Sequence, residues 1–149
     1  MKKTFAPNPT AIQKEWFFID ANDKVLGKIA AEIAVKLIGK DKSTFSPNQN
    51  MGCKVVVTNA AKVAVTGNKL KDKMYSRYTG FPGGLRTESL GALLKRRPTD
   101  LLRNAVRGML PKNKLRKRFM RKLKVYKDAS HPHQAQKPAP LQPRIANGV

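Results

Sequence analysis

Between Asp100 and Asp128 the sequence contains no acid, and the 27 residues from Leu101 to Lys127 carry eleven bases: Arg103, Arg107, Lys112, Lys114, Arg116, Lys117, Arg118, Arg121, Lys122, Lys124 and Lys127. Their +11 is half of the chain's formal charge of +22. Two or three clustered lysines would simply be solvated. Eleven cations without an acid repel one another, and a bound polyanion relieves that repulsion. The chemistry open to this stretch is therefore the binding of phosphates.

A second group lies upstream. Lys69, Lys71, Lys73, Tyr75, Arg77 and Tyr78 interleave cations with rings against one acid, Asp72. Cations meet phosphates, and tyrosines stack on bases or sugars, although the same tyrosines would serve equally to cover a core. Gly80, Pro82, Gly83 and Gly84 follow. No Gly-Lys-Ser/Thr completes a nucleotide loop there, so these glycines are expected to make a tight bend where backbone approaches another surface.

Catalytic chemistry is harder to assemble. Cys53 is the single cysteine, so no internal disulfide is possible, and beside valines 55–57 it has the character of a small packed hydrophobe. His131 and His133 sit two apart in a proline-flanked tail, and a zinc site would have to recruit scattered ligands. A nuclease using Asp20 with His131 or His133 is the enzymatic alternative, and no spacing supports it. The expectation is no enzyme, no metal, no cofactor and no small-molecule substrate.

Several elements must position these cations. Pro98, Thr99 and Asp100 begin a helix, with proline tolerated in the first turn and the acid favourable beside the exposed N–H groups. Leu101, Leu102, Ala105, Val106 and Met109 then fall on one side of it, with Arg103 and Arg107 on the other. Pro111 closes it, and Leu115, Phe119 and Leu123, spaced by four, give a second short pattern. Leu123 to Tyr126 also alternates as a last strand would.

Upstream, Trp16 to Ile19 reads as a strand covered on both faces, and Asp23 as a helix cap. Leu26, Ile29, Ala30, Ile33 and Leu37 follow a helical period that ends at Gly39. Residues 40–52 form a polar loop, long enough to suggest a binding role. Val55 to Val57 make a buried strand, Asn59 caps a short turn, and residues 63–65 are extended up to Gly67-Asn68. Glu88 to Arg97 is expected to be a short helix. A strand followed by an amphipathic helix opens an α/β unit.

The length of 149 residues suits one domain over 14–127, with an N-terminal arm over 1–13 and an extended tail over 128–149. Thirty-one Lys and Arg against nine acids favour nucleic acid over an anionic membrane surface. No run approaches the roughly 18 apolar residues that cross a bilayer. Met1 to Phe5 has a signal peptide's charge without its apolar stretch, and the expected site is the cytoplasm, or an organelle interior for a trimmed form. Cations spread over loop, ribbon, helix and tail suit an irregular RNA surface better than one duplex groove.

The sequence resembles the large-subunit ribosomal protein L13 family, bacterial or organellar type. The resemblance is carried by Trp16 to Ala21, Leu26-Gly27-Lys28, Asn59-Ala60, Lys62 to Lys69, and Thr79 to Gly84. It continues in Val106-Arg107-Gly108-Met109-Leu110-Pro111-Lys112-Asn113, Arg121 to Tyr126, and His131-Pro132-His133 with Ala135-Gln136. It implies an α/β, three-layer fold with helices around a central, mostly parallel or mixed sheet, plus basic extensions. The implied role is structural and not enzymatic: binding large-subunit ribosomal RNA, beside neighbouring ribosomal proteins, in early subunit assembly. A free-standing regulator binding RNA or DNA is the alternative.

The RNA-binding residues expected from both lines of reading are Lys69, Lys73, Arg77, Gly80, Gly83, Gly84, Arg107, Lys112, Lys114, Arg116, Lys117, Arg118, Arg121, Lys122, Lys124, His131 and His133. The chain departs from the family pattern at Arg116 and near Asp128, where glycines are common. Either its bends there are expected to differ or the RNA contact is altered.

Overall fold

In a computed structural model of the chain, residue 8 and residues 14–141 are described. Apart from residue 8, the expected N-terminal arm lies outside them, as does the tail beyond Leu141. Strand β1 (Trp16–Asp20) leads through a turn to helix α1 (Leu26–Ile38), and β2 (Lys54–Thr58) follows the 40–52 loop. A one-turn 3-10 helix spans Ala60–Lys62. Next come a single turn, α2 (Lys69–Asp72), and an antiparallel ribbon of β3 (Met74–Tyr78) and β4 (Leu85–Ser89). Helices α3 (Leu90–Arg96), α4 (Pro98–Met109) and α5 (Leu115–Arg121) precede β5 (Leu123–Val125) and β6 (Ala139–Pro140).

The main sheet runs β5-β2-β1-β6, and every pairing in it is parallel. Side chains alternate across such strands. Ile19, Val55, Val57, Leu123 and Val125 face the core shared with α1 and α4, two helices that pack against each other. Helix α1 contributes Leu26, Ile29, Ala30, Ile33 and Leu37, all buried at the spacing expected of one face. Val56, also fully buried, points the other way. That second face is closed by the chain's return: His131 packs on Phe18 with ring centroids 5.6 Å apart and His133 on Trp16 at 5.1 Å. Helices, sheet and returning segment make the three layers.

Several expectations need correction. Asp23 does not cap α1, for it takes a left-handed φ of 54° and its N–H bonds the Lys62 carbonyl at 3.1 Å. Asn59 likewise leaves the turn after it uncapped and donates its amide to Asp20 at 2.8 Å. The helix expected from Glu88 begins at Leu90, because Glu88 and Ser89 belong to β4 and Ser89 caps the helix through its hydroxyl. Met109 is 45% exposed, and Leu110, just past the end of α4, turns into the core in its place. Within the described part of the expected tail, β6 adds an edge to the sheet beside β1, and the Leu141 N–H donates to the Phe18 carbonyl.

Two glycines fix the ends of the long loop. Gly39 ends α1 at φ 85°, and its position faces the Gly52 nitrogen so closely that a Cβ would lie 3.0 Å away. At Gly52 a Cβ would run into the Leu37 carbonyl. Backbone here touches backbone, which only glycine permits.

Candidate nucleic-acid interface

Helix α4 supplies the spine on which the cations are arranged. Leu101, Leu102 and Val106 bury one of its faces, and Arg103, Asn104 and Arg107 are left outward by the same periodicity. Beyond Leu110, Phe119 anchors α5 in the same core at 2% exposure. Arg107, Lys112, Asn113, Arg116, Lys117 and Met120 thereby line one open cleft of about 600 Å³ without an acid among them. Low-dielectric walls lined by one sign of charge focus the field on whatever anion enters.

Arg116 is part of this wall in an unexpected way. It lies within α5 and takes no left-handed bend; its guanidinium donates to the Pro111 carbonyl at 3.0 Å and the Leu110 carbonyl at 3.3 Å. Carbonyls past the end of α4 gain a cation, and the α4–α5 bend is tied by a side chain. Lys114, Arg118 and Arg121, before and on α5, are exposed as well, whereas Lys124, exposed and in register with Val56, lies on the opposite face of the sheet.

Lys122 is turned the other way. Its side chain is buried, and its ammonium donates to the Gly52 carbonyl at 2.6 Å and to the Asn50 side chain. It joins the end of the long loop to β5, so it does not belong with the outward cations. Burial lowers its pKa to about 8, helped by the nearby positive charges of Lys14, Lys42 and Lys54. From about pH 8 up to the ordinary lysine range, the unfolded chain keeps a proton that the folded chain has released, so stability rises with pH across that window. Urea melts at about pH 7 and about pH 10 will show this gain in the native chain and lose it in Lys122→Met. Truncation to alanine will cost about 1–3 kcal/mol, since two oxygens lose their donor.

A second basic cavity, of about 550 Å³, lies under the ribbon between Arg77, Arg86, Arg96 and Arg97. Arg77 and Arg86 stand directly opposite each other across the strand pair, an arrangement that destabilises a bare ribbon. Arg96 is engaged by Glu88, whose carboxyl is held below its ordinary pKa by that hydrogen bond, and Arg97 lies 3.7 Å from Asp100. Arg77 and Arg86 are thus the two arginines of this lining for which no acid partner is found among the described residues. Arg86 was not among the expected site residues, and the signal for it is this cross-strand register, which depends on knowing where the ribbon turns.

Lys69 and Lys73 border a third cavity, which Tyr75 and the ends of α1 and α4 also line. The glycine bend is the tip of the ribbon, with Gly80 at φ 93° and Gly83 at φ 68°. A Cβ on Gly84 would strike the Thr79 hydroxyl, so that glycine serves the hairpin itself. Tyr75 and Tyr78 divide the two roles offered by the sequence. Tyr75 packs against the core, where burial pushes its phenol pKa up, and Tyr78 is 62% exposed.

His131 and His133 are not brought to these cations. They join Trp16, Phe18 and Tyr126 on the far face of the sheet, where the Tyr126 hydroxyl is 2.9 Å from His133 Nε2. Asp20, the acid of the nuclease alternative, accepts from Asn59 and from the Asn22 backbone, which holds its carboxyl below the ordinary pKa. Among the described residues no group of three or more His, Cys, Asp or Glu is placed to hold a metal. No helix among them is long and apolar enough to cross a membrane.

Comparison with known proteins bears on which polyanion this surface meets. The profile of the family described as Ribosomal protein L13 matches residues 14–132. The large ribosomal subunit protein uL13 of Oleidesulfovibrio alaskensis is 50% identical over 140 residues, covering 94% of this chain and 97% of its own. That of Geobacter sulfurreducens is 50% identical over 141 residues, 95% and 99% of the two chains. That of Desulfotalea psychrophila reaches 52% over 139 residues, 93% and 98%.

Proposed function

The chain belongs to the ribosomal protein L13 family, and from that membership we propose that it is a structural component of the large ribosomal subunit. It binds large-subunit ribosomal RNA, supports early assembly, sits beside other ribosomal proteins and turns over no substrate. The observation that carries this reading is the family match along almost all of the described chain, residues 14–132. Its place of action is the ribosome of the cytoplasm.

The mechanism is positioning by counter-charge. Arg107, Lys112 and Lys117 in the cleft, with Lys114, Arg118 and Arg121 nearby, before and on α5, and Lys124 on the sheet's other face, replace counterions on phosphates. Because the core fixes their spacing, a folded RNA that presents phosphates in the same pattern is preferred to regular duplex. Arg77, Arg86, Lys69 and Lys73 extend that contact along the ribbon, and the tip at Gly80 to Gly84 approaches RNA through its backbone.

Sedimentation of cell extract tests the reading. The protein will travel with large subunits at close to one copy each and stay there through a high-salt wash. A protein that remains at the top of the gradient would instead be the free-standing regulator.

A further inference from the structure

Among the described residues three glycines lie inside helices: Gly27 in α1, Gly91 in α3 and Gly108 in α4. A helical glycine weakens its helix relative to alanine, so each calls for a reason. Gly91 has one within the fold, since a Cβ there would lie 3.1 Å from the Leu70 carbonyl. Gly27 and Gly108 have none: both are exposed, and a Cβ on either would meet nothing within 4 Å. Yet these two, far apart in the sequence, line one and the same cavity.

That cavity has a volume of about 390 Å³ and lies between the first turn of α1, the last turns of α4 and strand β3. Its floor is mostly aliphatic, Tyr75 and Asn104 stand in its wall, and Lys69 and Lys73 border it with no acid among the lining residues. Lys73 Nζ is 5.8 Å from the centre of the Tyr75 ring. An apolar pocket with an aromatic ring, an amide and two cations combines what a single nucleotide requires: a surface for the base, hydrogen bonds for its edge and charge for its phosphate. A duplex is convex and keeps its bases inside, so it cannot use such a hollow. A neutral or basic peptide segment would leave the two lysines without a counter-charge.

We propose that this cavity receives one unstacked nucleotide of the bound RNA, its base on the apolar floor beside Tyr75 and its phosphate at Lys69 and Lys73. The bare backbone at Gly27 and Gly108 leaves room for that nucleotide. The inference rests on the RNA-binding reading above and adds to it a specific, single-stranded contact.

Chemical probing of base edges in large-subunit ribosomal RNA transcribed in vitro, bound by the full chain, tests it. The native protein will protect one unpaired nucleotide. Gly27→Leu and Gly108→Leu will fill the cavity, keep or raise Tm, lose that protection and weaken binding about tenfold. Lys69→Ala with Lys73→Ala, both exposed positions, will expose the same nucleotide at unchanged Tm. Should a leucine variant unfold, this lysine pair decides. Retained protection in the folded variants, or a specific footprint without such a nucleotide, would overturn the inference alone. If the native chain binds this RNA no better than an unrelated transcript, the ribosomal reading fails with it.

Discussion

Replacing Arg107, Lys112 and Lys117 together by alanine will lower affinity for large-subunit ribosomal RNA by two to three orders of magnitude, at about 1 kcal/mol or somewhat more for each phosphate left without its cation. The salt dependence will change with it. Each phosphate neutralised contributes about 0.7 to 0.9 to the log–log slope, so the triple variant will flatten that slope by roughly 2 to 3. All three side chains are exposed, and they line a cleft that contains no acid. Their removal relieves mutual repulsion, and Tm will hold or rise at low salt. Filter binding over a range of salt concentrations, with a thermal melt beside it, measures both effects. An unchanged slope would mean that phosphates do not enter this cleft.

Gly52→Ala will act in the opposite way, through the fold and not through the ligand. Its Cβ would meet the carbonyls of Leu37 and Lys36 in the last turn of α1, and the neighbouring Cys53 N–H is already bonded to the Lys36 carbonyl at 3.0 Å. Backbone cannot rotate aside as a side chain can. The strand after Gly52 must therefore shift, and β2 carries Val55, Val56 and Val57, each fully buried. Such a shift is expected to cost about 3 kcal/mol or more. A urea melt will show the midpoint falling, and RNA affinity at a temperature where the variant is still folded will change little. Alanine at Gly67, where φ is 63° but no atom lies within 4 Å, will cost only about 1 kcal/mol by backbone strain and serves as the comparison.

The parts of this fold that could be read in the sequence are those whose burial is one-sided or complete. The period of Leu26, Ile29, Ile33 and Leu37 identifies α1, Gly39 marks its end, and the valines of β2 and the proline at the start of α4 do the same for their elements. The ribbon's second strand escaped because Leu85, Arg86 and Thr87 are all exposed, so no alternation of polar and apolar residues reveals it. Strand β6 has two residues, one of them proline, and leaves no periodic trace. Met109 satisfied the helical wheel, but the helix ends there and Leu110 takes the core position from an extended backbone.

The candidate interface was legible as charge and less so as geometry. A run of eleven cations says nothing about which point outward, and Lys122 is buried while its neighbouring cations Arg121 and Lys124 are not. A signal existed: Lys122 follows Phe119 by three, on the side where α5 meets the core. At Arg116 the guanidinium binds the carbonyls of the α4–α5 bend, a tie that the charge run does not reveal. What composition could not supply was the cavity that Gly27 and Gly108 both line, which exists only once α1 and α4 are packed.

The position of β6 also sets a timetable. Strand β1, made among the first twenty residues, has β2 on one side and residues 139–140 on the other. During synthesis its second edge therefore stays unpaired until those late residues have left the ribosome that makes them. Contacts so distant in sequence form late, and an open parallel edge invites pairing with other chains in the interval. A newborn copy is thus most vulnerable to aggregation just before residues 139–140 emerge, the period in which a chaperone, or its RNA, has the most to protect.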